Sequence, residues 1–125
     1  MKIKRVEHIA IAVDSIKQSL ELMRDTFGLD VEYEEQIGQT YIELLEGTGP
    51  ESGVTDWIKE KGTGLYHICF EVDDIEGAIA ELKAKNVKLQ SDTWRTGHGG
   101  SKIIFIDPSA TGNVVIELAE LAPGH

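Results

Sequence analysis

Val6–Met23, VEHIAIAVDSIKQSLELM, aligns without a gap with Leu65–Leu82, LYHICFEVDDIEGAIAEL, at an offset of 59 residues. His8 matches His67, Val13 matches Val72, Asp14 matches Asp73 and Ile16 matches Ile75. A second echo closes each half: YIELLE at Tyr41–Glu46 and VIELAE at Val115–Glu120, which aligns Glu43 with Glu117. The chain is therefore a tandem repeat, and what one half builds the other should build again.

Each half opens as a strand and continues as a helix. In HIAIAV, His8, Ala10 and Ala12 share one face and Ile9, Ile11 and Val13 the other; in HICFEV, His67, Cys69 and Glu71 oppose Ile68, Phe70 and Val72. Asp14 or Ser15, and Asp73 or Asp74, are N-cap candidates for the helices. Ile16, Leu20, Met23 and Phe27 keep helical spacing, as do Ile75, Ile79 and Leu82. Gly28 and Asn86 should end these helices. Further strands are expected at 30–36, 41–46, 87–91, 102–106 and 114–118, with a linking helix near 54–61. Glu43 follows His8 by 35 residues (43 − 8), whereas Glu117 follows His67 by 50 (117 − 67). The deficit of about one strand and its turns makes the second module βαβββ and the first βαββ. We expect one domain over 1–125: module one at 1–47, a linker helix within 48–63, and module two at 64–121.

The 125 residues are 41% hydrophobic and 27% charged, as in an ordinary globular domain. The single cysteine, Cys69, excludes an intramolecular disulfide and a Cys-rich zinc site. The net charge of −10 opposes binding to nucleic acid or anionic membrane. No apolar run approaches the ~18–20 residues of a membrane span. The N-terminal stretch carries Glu7 and His8 within its apolar part, so it reads as a strand rather than a signal peptide. A soluble cytoplasmic protein is expected.

The repeat has a chemical consequence. A lone His beside a strand is usually a packing residue, and a lone Glu among aliphatics usually marks a solvent-facing edge. Here two His and two Glu recur at matching places. Imidazoles and carboxylates in this number suit a borderline divalent ion such as Zn, Co, Ni, Mn or Fe. His8, Glu43, His67 and Glu117 are accordingly the candidate metal ligands, with Ala10, Ala12 and Cys69 leaving space beside them. Glu32, Glu34 and Glu35 read as a solvated acidic face, and Trp57 and Trp94 as packing residues. The stretch Arg95–Lys102, RTGHGGSK, reads as a Gly-rich turn, with backbone amides and Lys102 facing an anion as the alternative.

The segments VEHIAIAVDSI, TYIELLEGTGPES, WIKEKGTGLYHICFEVDDIEGAIAELKAKNVKL and GHGGSKIIFIDPSATGNVVIEL together resemble the vicinal-oxygen-chelate (glyoxalase/bleomycin resistance/dioxygenase) superfamily and, within it, the methylmalonyl-CoA epimerases. The resemblance spans nearly the whole chain. It implies an α+β fold of two paired βαβββ-type modules, here with the first shortened by about one strand. It implies one divalent metal ion on His8, Glu43, His67 and Glu117, an acyl-CoA substrate and a homodimer. The activity it implies is epimerisation of (2R)- and (2S)-methylmalonyl-CoA through a metal-stabilised enolate, with Glu117 as the catalytic base. A glyoxalase-type isomerase or lyase and a non-catalytic small-molecule-binding relative are the alternatives. Two departures accompany it. Relatives often carry His-His where this chain has Tyr66-His67. The missing strand is the one to which a second acid/base carboxylate is assigned in some relatives, so no residue is assigned that role.

Overall fold

The structure is a computed structural model, and it describes residues 1–27, 35–37, 40–46 and 53–123. Its elements run β1 (Ile3–Ala12), α1 (Ile16–Glu21), β2 (Glu35–Ile37), β3 (Thr40–Leu45), α2 (Gly53–Lys61), β4 (Gly64–Val72), α3 (Ile75–Ala84), β5 (Arg95–Thr96), β6 (Lys102–Ile106) and β7 (Ile116–Glu120). The chain divides into two compact units: Met1–Glu7 with His67–His125, and His8–Tyr66. Among the described residues the first module contributes three strands and the second four.

In the unit that carries module two, the strands lie in the order β4-β7-β6-β5. β4 and β7 are parallel, while β6 is antiparallel to both β7 and β5. The alternation read from the sequence sends Val72, Ile104, Ile106 and Leu118 to one face, where they pack with Ile75, Ala78, Ile79 and Leu82 of α3. Each of these side chains is buried, and burial of aliphatics of this size is worth roughly 1.5–3 kcal/mol apiece. α3 starts on Asp74, whose carboxylate accepts from the Gly77 N–H at 3.1 Å. It ends as Asn86 predicts. Asn86 is left-handed (φ 60°), its N–H bonds to Lys83 O, and the Val87 N–H reaches back to Leu82 O at 2.9 Å, the paired bonds of a Schellman motif.

In the unit His8–Tyr66 the strand order is β2-β3-β1, with β1 and β3 parallel and β2 and β3 antiparallel. Ser15 caps α1 by accepting from the Gln18 N–H. The repeat extends to a device not visible in either echo alone. The last carboxylate of each echo receives the first amide of its own module's helix: Glu46 from Ile16 N–H at 3.1 Å, and Glu120 from Ile75 N–H at 3.0 Å. Each satisfies an otherwise orphaned donor and places negative charge at the positive end of the helix.

Several sequence expectations are corrected. β1 begins at Ile3 rather than His8, because its first half lies beside β4 in the module-two unit, held by Arg5 and Lys4 on Glu71. The strand expected at 87–91 is only a single bridge, Leu89 to Ile106; the edge strand proper is Arg95–Thr96. Between these two points the edge advances six residues while β6 advances three, which breaks the ladder. The last strand runs Ile116–Glu120, two residues later than expected. After α1 the helix widens at Leu22–Thr26, where the Phe27 N–H bonds to Leu22 O five residues back, and Phe27 leaves the apolar stripe to stand exposed. The linking helix, expected near 54–61, is Gly53–Lys61. Gly28 as a helix stop, Glu32, Glu34, most of the strand expected at 30–36 and the start of the linker at 48–52 lie outside the described residues.

Arg5 donates to Glu71 at 2.7 Å and Lys4 stands 3.3 Å away. Burial pushes the Glu71 carboxyl up, but the hydrogen bonds and charges of Arg5 and Lys4 outweigh it and hold it below its ordinary 4.5. A depressed carboxylate stabilises the fold above its unfolded pKa, and that contribution fades as pH falls through the folded value. Arg5→Ala should therefore cost roughly 1–3 kcal/mol in urea denaturation at pH 7. Its deficit relative to wild type should shrink as pH drops below 4.5. Asp74→Ala should cost about 1 kcal/mol through loss of the α3 cap, read in the same titrations.

Candidate metal centre and its surroundings

The parallel pairing inside each module brings a His to a Glu. In β1–β3, Ala10 stands opposite Glu43, and His8 lies two residues before Ala10 on the same face. In β4–β7, Cys69 stands opposite Glu117, and His67 lies two residues before Cys69. Ala10 and Cys69 are equivalent by the offset of 59, so both modules repeat one register. The side chains repeat it too. His8 Nε2 is 3.6 Å from Glu43 Oε2, and His67 Nε2 is 3.5 Å from Glu117 Oε1.

These separations are long for hydrogen bonds. Two donors each ~2.0–2.2 Å from one ion, at octahedral or tetrahedral angles, stand roughly 3–3.6 Å apart. The pairs in both modules match that spacing, and their neutral imidazole and carboxylate chemistry fits a borderline divalent cation. The residues at the crossing, Ala10 and Cys69, are fully buried and small, as the sequence indicated.

The pairs differ in exposure. The Glu43 side chain is 40% exposed, whereas those of His67 and Glu117 are 6% and 8%. Glu117 sits opposite Phe105 of β6, and the Phe105 ring meets the His67 imidazole edge-on at 5.4 Å. Phe105 falls within the strand expected at 102–106, and the sequence by itself assigns it no role of its own. Glu71, on the same face two residues past Cys69, is engaged by Arg5 and Lys4.

Other sequence candidates sort cleanly. Tyr66, where relatives often carry a second His, packs its ring on Trp57 of α2 at 5.1 Å. The position thus holds the linking helix onto its own unit, and Trp57 is a packing residue as expected. Trp94 packs against the module-two core. Lys102, which only the alternative reading of this stretch turned toward an anion, lies on the opposite face from Glu117: its ammonium is 5.0 Å from the Trp94 ring and 3.8 Å from Glu120. The Gly-rich stretch is a tight turn. Gly97 N–H bonds to Ser101 O, and Ser101 N–H bonds to His98 O. Gly99 and Gly100 both take left-handed angles (φ 66° and 80°), which side chains other than Gly adopt at a cost. Two of its amides are spent inside the turn rather than aimed at a ligand.

The chain matches the sequence model of the Glyoxalase/Bleomycin resistance protein/Dioxygenase superfamily over residues 7–105. It is 32% identical to the mitochondrial methylmalonyl-CoA epimerase of Mus musculus, an alignment covering 95% of this chain and 74% of that protein. It is 33% identical to the corresponding Dictyostelium discoideum protein, covering 94% and 79%. Among solved structures, a variant of Streptomyces coelicolor methylmalonyl-CoA epimerase in complex with 2-nitronate-propionyl-CoA superimposes with a TM-score of 0.88 at 29% identity, covering 98% of this chain and 97% of that one. The α+β, glyoxalase-like fold that the resemblance implied is therefore that of its relatives.

Proposed function

This chain belongs to the methylmalonyl-CoA epimerase family of the glyoxalase/bleomycin resistance protein/dioxygenase superfamily, and on that premise we propose that it interconverts (2R)- and (2S)-methylmalonyl-CoA by removing and returning the proton on the 2-carbon. It is an enzyme of the epimerase class. The observation that carries the site is the twofold repetition of one His–Glu pair, in the same register and at nearly the same donor separation. In this reading His8, Glu43, His67 and Glu117 of a single domain, 1–125, hold one divalent ion. Such an ion, when bound, supplies Lewis-acid polarisation of a thioester carbonyl.

The chain's own groups do the rest. Ala10 and Cys69 keep the strand faces beside the pairs free of bulk. The apolar ring of Phe105 covers one side of His67 and limits water there. Glu117 has two carboxylate oxygens; one is sufficient for a ligand, and in this reading the other takes the α-proton. That proton is acidified by both the thioester and the substrate carboxylate. Charge builds on the thioester oxygen only as the proton leaves, so interactions directed at it favour the transition state over the ground state. Epimerisation needs a proton returned to the opposite side of the carbon. With the shortened first module, water is the donor in this reading. A cytoplasmic homodimer completes it: paired C2 subunits are the commonest assembly of soluble enzymes.

Two experiments test the reading. Elemental analysis of protein purified without chelator should show one divalent ion per chain. His8→Ala and His67→Ala should each reduce that occupancy by an order of magnitude or more while leaving the thermal unfolding cooperative. Unchanged stoichiometry in both variants removes the site. Glu117→Gln keeps an oxygen donor and removes the base. It should retain most of the metal yet slow deuterium exchange into methylmalonyl-CoA from D₂O by at least ~100-fold, the low end for general-base loss. Exchange at the wild-type rate would acquit Glu117. A metal-loaded wild type that binds the thioester without exchanging its proton would instead be a binding protein.

A further inference from the structure

The electrostatics of module two leave one cation unaccounted for. The chain carries a net charge of −10, yet a malonyl thioester of CoA is itself strongly anionic. Each lysine of the module is engaged by a carboxylate: Lys83 with Asp92, Lys85 with Glu81, Lys88 with Asp107 and Lys102 with Glu120. Arg95 is different. Among the described residues it has no ion pair, and it stands exposed on the edge strand β5.

The pairing registers say which way it faces. Arg95 is opposite Ile103, Ile103 is opposite Ala119, and Ala119 is opposite Glu71. Residues opposite one another in a ladder share a face, and so do residues two apart in a strand. Arg95 therefore lies on the face of Phe105, Glu117 and His67, whereas Lys102 lies on the other. Its guanidinium is centred 5.9 Å from the Phe105 ring, and that ring touches the His67 imidazole at 5.4 Å between centroids. The cation and the His67–Glu117 pair thus flank one aromatic side chain.

We propose that Arg95 is a substrate-binding residue that receives an oxyanion of the acyl-CoA, with Phe105 as the platform that holds its guanidinium beside the His67–Glu117 pair. The inference rests on the epimerase reading for the identity of its ligand. Arg95 is exposed and its guanidinium centre lies over the Phe105 ring; a guanidinium presents N–H donors in a planar fork suited to carboxylate or phosphate. Two groups of the same substrate offer this chemistry: the malonyl carboxylate and the CoA phosphates. Because the lysines of this module each face a carboxylate, Arg95 would also be the local attraction that draws the anion onto an acidic protein.

Calorimetric titration of metal-loaded protein with three thioesters separates the cases. Methylmalonyl-CoA carries both groups, propionyl-CoA lacks the carboxylate, and the N-acetylcysteamine thioester of methylmalonate lacks the phosphates. Arg95→Gln should weaken methylmalonyl-CoA binding about 10- to 100-fold, and Arg95→Lys, a point charge without the fork, should recover only part of it. If the carboxylate is the partner, the loss persists with the N-acetylcysteamine thioester and disappears with propionyl-CoA; if a phosphate is, the pattern reverses. Equal affinities of wild type and Arg95→Gln for all three overturn the assignment of Arg95 and leave the epimerase reading standing. A wild type that binds none of them overturns the epimerase reading and this residue's role together.

Discussion

The parallel pairing of the first strand of each module with its last is the constraint from which the rest follows. Parallel neighbours cannot be joined by a tight turn, so each module must send a helix and further strands out and back before closing. That route brings a residue near the module's start beside one near its end. It does so twice with the same register, Ala10 on Glu43 and Cys69 on Glu117. It also carries the terminal carboxylates, Glu46 and Glu120, to the helix starts at Ile16 and Ile75. One pairing thus places a candidate ligand pair and a helix cap in each module.

The two faces of the module-two sheet have opposite jobs. One buries aliphatics under α3 and supplies the hydrophobic stabilisation. The other buries polar groups: His67, Glu71 and Glu117 are each no more than 8% exposed. Buried carboxylates are costly unless compensated. Glu71 meets that demand with Arg5 and Lys4, which also fasten the first half of β1. Glu117 lies against His67 at a separation suited to a shared cation. The contrast between the two carboxylates, one paired with cationic side chains and one with an imidazole, separates a structural role from a candidate chemical one.

Surface charge is divided in the same manner. Lysines of the second module are matched to carboxylates on the helix, the loops and the core-side face. Exposed pairs of this kind add little stability, typically under about 1 kcal/mol, but they remove those cations from competition for an anion. What remains on the face of His67 and Glu117 is Arg95, its guanidinium centred 5.9 Å from the Phe105 ring.

Much of this was written in the sequence. Because a repeat constrains composition and spacing together, the gapless echo around His8 and His67 gave the strand–helix order and the two echoes together gave the four candidate ligands; the family resemblance of the segments implied the fold class. Local chemistry was legible too: each cap narrowed to two neighbouring residues, of which the structure uses Ser15 and Asp74, while Asn86 was legible as the end of its helix and Lys102–Ile106 as a strand. Propensity did not reveal the loss of the ladder over 87–91, where an apolar stretch makes only one bridge, since pairing depends on what the neighbouring strand offers. Nor could it extend β1 back to Ile3, which depends on Glu71, 66 residues from Arg5 along the chain. The same holds for Lys102 and Arg95. In the sequence they are two cations flanking a Gly-rich turn, equal in charge. Only strand register, a relation between residues distant in the chain, turns one toward Glu120 and the other toward Phe105.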